Sequence, residues 1–301
     1  MTTHRLRLNW RRLYLGLLVA GGLALASGLA TAPAQAQSTA PRRPALDPYY
    51  LTTCGWGSAP LIQPSDPITY YVHLPIITKA ESCPPIPGET YSVLSVNPPP
   101  TDRPAEIHAD LNLSMRGYEL TNAPKTLVDY SGSGDGNAPQ LPGLFADNRT
   151  AVISDVYRVY DWNWSCNCRG ALLTNWPVTL AGLATTPGET IHVPDSGYAI
   201  GALGSGYEVL VLYAALDRIT LKYTRDDNVV YGYTLHVENV CVEPSLLALY
   251  QEQNAAGRGT LPALRPGQAF GRAKGGAIGV AIRDNGTFMD PRSRKDWWRG
   301  R

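Results

Sequence analysis

Between residue 105 and the C-terminal end, apolar positions recur with a period of two in short runs separated by Gly, Asn and Asp. The runs Val152–Tyr160, Val178–Leu183, Thr190–Val193, Glu208–Tyr213, Arg218–Tyr223, Tyr231–Val242 and Ile278–Arg283 are rich in β-branched and aromatic residues and predict strands. A helical spacing occurs once, in Pro244–Asn254, where Leu246, Leu247, Leu249 and Tyr250 follow a proline at a position the first helical turn tolerates. Strands in this proportion predict an all-β or mainly β fold, an antiparallel β-sheet domain over residues 106–298. Within Tyr231–Val240 the alternation sets Tyr231, Tyr233, Leu235, Val237 and Asn239 on one face and Gly232, Thr234, His236, Glu238 and Val240 on the other.

Ahead of that domain the texture differs. Eleven of the chain's 25 prolines lie between Pro60 and Pro104. Missing N–H groups at that density forbid long helices and central strands, so residues 37–105 read as a Pro-rich extended arm or linker. Ile68–Ile77 is its one strong β-type run. At the N-terminus, Arg5, Arg7, Arg11 and Arg12 precede an uncharged stretch from Leu13 to about Ala30, followed by Ala34-Gln35-Ala36. That order predicts a secretory signal peptide over residues 1–36, and hence a secreted or extracytoplasmic protein; the same stretch kept uncleaved would be an anchor. No later segment is long and apolar enough to span a bilayer.

Charge narrows the partners. The chain has 26 basic and 25 acidic residues, and losing four arginines with residues 1–36 leaves 22 basic against 25 acidic. A mildly acidic chain lacks the field that binds nucleic acid. Export places Cys54, Cys83, Cys166, Cys168 and Cys241 in an oxidising compartment. An odd number permits two intrachain bridges. Cys54 with Cys83, and Cys166 or Cys168 with Cys241, are the expected pairs, since cysteines two residues apart seldom pair with each other, the geometry being strained.

Candidate chemistry is sparse. His108-Ala109-Asp110 reads as a polar turn or, if extended, as a ligand pair. His192 and Asp195 close a predicted strand and could share a cation across a turn, or Asp195 could cap that turn. His236 and Glu238 share the polar face of their strand, as a solvated pair or as ligand and base. Trp162 and Trp164 fall on one face if the strand continues, as core packing or as a ligand-stacking platform. Trp297 and Trp298 stand among Arg292, Arg294 and Lys295, a tail that either meets an anionic surface or folds back and buries its rings, the second being expected. The chain lacks G-x-S-x-G, and Gly271–Gly276 lacks the Gly-Lys-Ser/Thr ending of a phosphate loop.

Pro266-Gly267-Gln268-Ala269-Phe270-Gly271 forms a Gly-Gln-x-x-Gly turn, Ile278–Arg283 a final strand, and Asn285-Gly286 with Asp290-Pro291 its exit. With Tyr231-Gly232-Tyr233 upstream, this order from about Ile191 to Trp298 resembles the lysostaphin-type zinc endopeptidases, secreted enzymes that cut peptidoglycan cross-bridges. The resemblance implies a peptidase-like core over 190–298, with His192 and Asp195 where the family's first His and Asp ligands fall, one residue short in spacing. The departure lies in the chemistry. No histidine follows His236, so the family's His-x-His is missing from the final strand and Gly279 stands near one of its places. Zinc with three protein ligands and an open position is not assembled in the family's manner.

Two functions follow as expectations. One is an exported, non-catalytic protein of the cell envelope, its degenerate β domain used for binding or for structure, with an envelope polymer such as peptidoglycan or another glycan as partner. The other is a zinc metalloendopeptidase with relocated ligands drawn from His108, Asp110, His192, Asp195 and His236.

Overall fold

The computed structural model describes residues 83–198 and 203–301. The expected signal peptide, the strand Ile68–Ile77 and Cys54 lie outside the described residues. The described residues are mainly antiparallel β-sheet, as the alternation predicts.

Strands β1 (Ser92–Ser95), β2 (Tyr118–Leu120), β3 (Ile153–Asn163), β4 (Cys168–Leu172), β5 (Leu180–Ala184) and β6 (Thr190–His192) occupy the first half. They are followed by β7 (Val209–Ala215), β8 (Arg218–Lys222), β9 (Tyr233–Glu238), β10 (Val240–Val242), β11 (Thr260–Leu264), β12 (Ala269–Ala273), β13 (Ala277–Asp284) and β14 (Thr287–Phe288). Three helices lie wholly within the described residues: α1 (Leu113–Arg116), α2 (Pro244–Ala255) and α3 (Arg294–Trp297).

The large sheet runs β1-β11-β7-β8-β9-β13-β5-β3-β2, with β4 paired to β3 and β14 to β13; a second sheet runs β10-β12-β6. The predicted run Tyr231–Val242 is two strands, because Asn239 adopts φ 60° and hands the chain from one sheet to the other. Asn tolerates that left-handed conformation through its short polar side chain. Gly271 of β12 answers a close approach: a Cβ there would lie 2.6 Å from the Cys241 carbonyl oxygen.

One face of the large sheet makes the core. Ile219, Leu221, Leu235, Val237, Ile278, Val280, Ile282, Ala181 and Leu183 bury there with Val240, Val242, Ile191 and Phe270 of the small sheet. Helix α2 adds Leu246, Leu247 and Tyr250, and Glu243 caps it by accepting from Leu246 N at 2.9 Å. The tail folds back as expected. Trp297 and Trp298 are buried, their indoles donating to the carbonyls of Asp290 and Pro291 at 2.9 and 2.8 Å.

The stretch from Cys83 to Ala105, at the end of the Pro-rich region, is tied to this fold. Strand β1 pairs with β11, Tyr91 donates to the Ala269 carbonyl at 2.9 Å, and Cys83 is bonded to Cys241. That bond corrects the expected pairings, as does a second between Cys166 and Cys168. Strand β10 brings Cys241 within 5.4 Å of Cys83, and a tight turn between β3 and β4 brings Cys166 and Cys168 within 5.3 Å, both Cα distances a disulfide spans.

Candidate functional site

The second face of the large sheet carries the polar sides of β8 and β9, and its register arranges that face in rows. Across neighbouring strands, Arg218 pairs with Glu238, Glu238 with Gly279, Gly279 with Gly182, and Gly182 with Asp155. Residues directly opposed in a sheet send their side chains to the same side. The row therefore reads guanidinium, carboxylate, two blanks, carboxylate. At about 4.8 Å per strand, the blanks open a trough about 14 Å wide between the Glu238 and Asp155 backbones. The concavity there has a volume of about 380 Å³, with Tyr118 and Tyr157 along one wall. Both glycines sit under close neighbours: a Cβ on Gly182 would lie 2.8 Å from Ser154 Oγ, and one on Gly279 would lie 3.3 Å from Glu238 Cβ.

The trough's charged groups are unequal. The Glu238 side chain is only 6% exposed and lies 3.5 Å from Arg218 Nε, while Arg218 Nη2 bonds Asp217 at 2.9 Å. Burial pushes the Glu238 carboxyl up to about 7, against the opposing pull of Arg218. Arg218 Nε is buried with no hydrogen-bond partner. Asp155 is more open and paired to Lys125 at 2.9 Å. Tyr118 and Tyr157 meet edge to face at 5.2 Å, and burial raises both phenols. Ser154 Oγ donates to the Gly182 carbonyl at 3.2 Å, so it is not poised as a nucleophile, and no histidine lines the trough. This set of donors, acceptors and aromatic edges is suited to holding a polar ligand.

The next rows on the same face are covered. Thr220 pairs with His236, and His236 with Ala281; beyond them Lys222 pairs with Thr234 and Thr234 with Arg283. The segment leading into α1 lies over them. Leu113, Val159, Leu180, Ala281 and Phe288 form a second apolar cluster there. Asp110 bridges Arg116 and Arg283 at 2.7 Å each. Burial would raise its carboxyl, but the Arg283 and Arg116 charges outweigh it and hold Asp110 at about 2. Lys222 is buried and donates to the Tyr231 carbonyl, with burial pulling its ammonium down to about 7.

His236 and Glu238 are therefore not a solvated pair: both are buried, one under the cover and one at the trough's edge. Thr220 Oγ1 donates to the Leu111 carbonyl at 2.6 Å, so it accepts from His236 Nδ1 at 3.0 Å. His236 Nε2 is left buried without a partner. The ring stacks on Phe288, and complete burial holds it far below the usual imidazole range, hence neutral. His108-Ala109-Asp110 is the polar turn, with Asp110 N donating to His108 Nδ1 at 3.2 Å.

His192 and Asp195 do converge, on another cleft of about 490 Å³ shared with Phe145 and Pro266. His192 belongs to the small sheet and His236 to the large one. Among the described residues no three His, Cys, Asp or Glu side chains are placed to share a metal ion. Trp162 is buried and Trp164, beyond the end of β3, is exposed, and their rings meet edge to face at 6.4 Å. The trough itself escaped sequence reading, which singled out side chains; its signal was two glycines inside predicted strands, where close approach or a missing side chain has meaning. Compared with family models, with curated proteins and with solved structures, the chain matches none.

Proposed function

We propose that this protein is an exported, non-catalytic binding protein of the cell envelope, which holds peptidoglycan through the Gly182–Gly279 trough. One observation carries the reading. Strand β13, on which the likeness to lysostaphin-type endopeptidases rests, forms the trough floor, and Gly279, near a His position of that family, faces a second glycine across the strand pair. A ligand groove with its chemistry replaced by glycine retains shape for a polymer and gives up hydrolysis. Glu238, Asp155 and Arg218 offer both signs of charge to the amines and carboxylates of peptide stems, and the tyrosine edges offer contacts to sugar rings. Two disulfides suit an oxidising compartment. Among the described residues no helix is long and apolar enough to cross a membrane.

Sedimentation of the purified chain with isolated peptidoglycan tests this. The expected result is saturable co-sedimentation that Tyr157→Ala weakens at least tenfold, with no release of soluble fragments and no zinc retained after loading and dialysis. Fragment release abolished by His192→Ala, together with stoichiometric zinc, would overturn it in favour of the endopeptidase.

A further inference from the structure

The two disulfides differ in what they close. Cys83–Cys241 joins segments 158 residues apart, and Cys83 is only 5% exposed. Cys166–Cys168 closes a ring containing a single intervening residue, at the exposed tip of the β3–β4 hairpin. Closing so small a ring removes little freedom from the unfolded chain, so this bond adds far less to folding stability than the long-range one, and by linkage folding protects it far less from reduction. Its structural work is already done by other contacts. The hairpin register pairs Asn163 with Cys168 and Trp162 with Arg169, and Asn167 accepts from Arg103 Nη1 at 3.3 Å and from Trp162 Nε1 at 3.4 Å. These contacts do not involve sulfur. The turn that carries the two cysteines is thus held by its frame, which does not depend on the bond and stays in place when it opens.

The surroundings fit a reacting partner. Both cysteines are exposed, so an incoming thiolate reaches either sulfur. Beside them Trp164 is 42% exposed, with the Arg103 guanidinium over its ring at 4.7 Å and His108 edge-on at 5.3 Å. An exposed aromatic ring with a cation beside it offers a contact surface to a polypeptide segment.

We infer that Cys166–Cys168 is a thiol–disulfide exchange site that accepts two electrons from a polypeptide bearing two thiols. This inference is independent of the binding trough. In the first step a thiolate of the polypeptide attacks one sulfur, the Cys166–Cys168 bond breaks, and the other cysteine leaves as a thiolate and takes up a proton. In the second, the polypeptide's other thiolate attacks the mixed disulfide, forming the polypeptide's own disulfide and releasing the second cysteine as a thiol once protonated. The two thiol protons and two electrons lost by the polypeptide are balanced by the two cysteine thiols formed.

The test equilibrates the full chain in reduced and oxidised glutathione mixtures, quenches with acid and quantifies each cysteine by site-resolved alkylation. Cys166 and Cys168 are expected to be half reduced at a ratio of squared reduced to oxidised glutathione at least tenfold lower than Cys83 and Cys241. In a second arm, the oxidised chain meets a synthetic peptide with two cysteines; it should yield one peptide disulfide per chain as Cys166 and Cys168 become thiols. The double variant Cys166→Ser/Cys168→Ser should yield none while melting at the wild-type temperature. Equal reducibility of the two bonds, a pairing other than Cys166 with Cys168 in the oxidised chain, or undiminished peptide oxidation by the double variant would overturn the inference.

Discussion

One face of one sheet is treated in two ways along the same strands. At the Gly182–Gly279 end it is open, with Glu238 and Asp155 on either side of a trough; at the Arg283 end it is sealed by Asp110, Leu113 and Phe288. The strands alternate identically in both places. The difference is what lies above them, and it decides what each charge does. Under the cover, Asp110 has two guanidiniums within bonding distance and stays ionised. At the open end, Glu238 has one, at 3.5 Å, and burial raises its carboxyl to about 7. Complete pairing makes the first cluster structural, whereas incomplete pairing leaves capacity for a ligand at the second.

Breaking the covered end should have the largest effect. Asp110→Ala leaves Arg116 and Arg283 buried and facing each other, and denaturant unfolding at pH 7 should show a loss of about 3–5 kcal/mol. The next effect is pH-dependent. Because the folded-state carboxyl of Glu238 lies above its unfolded value, the folded chain holds the proton more tightly, and this group's contribution falls as pH rises from about 4.5 to about 7. Relative to wild type, Glu238→Gln should therefore gain on the order of 2–3 kcal/mol between pH 5 and pH 8, read from unfolding midpoints; a flat difference across that range would show that Glu238 is solvated. Gly279→Val, which fills the trough beside Glu238 and Leu180, should cost about 1–3 kcal/mol of stability and reduce peptidoglycan co-sedimentation at least tenfold. Smallest is His192→Ala, in a different cleft from the trough: stability within about 0.5 kcal/mol of wild type and unchanged co-sedimentation, measured in the same assays.

Residue patterns carried much of the local structure. All seven predicted runs contain strands, and the predicted helix forms at Pro244–Ala255. The elements that went unread were short or interrupted. Strand β11 carries Pro262, whose missing N–H is tolerated because pairing with β7 begins only at Ala263. Strands β4 and β12 contain Gly170 and Gly271, which break the alternation on which the reading depends. The His236–Glu238 face was assigned correctly within its strand, but its burial depended on a segment more than a hundred residues earlier.

The sequence by itself determined the mainly β class and the division of β9 into an apolar and a polar face, because period, propensity and hydrophobicity act over a few residues. Only the tertiary structure decided which cysteines bond, that Gly182 stands opposite Gly279, that His192 and His236 lie on separate sheets, and which end of the polar face is covered. Those outcomes depend on strand order and register. They are set by how distant strands pair to bury a shared core, and no local window of the chain contains that information.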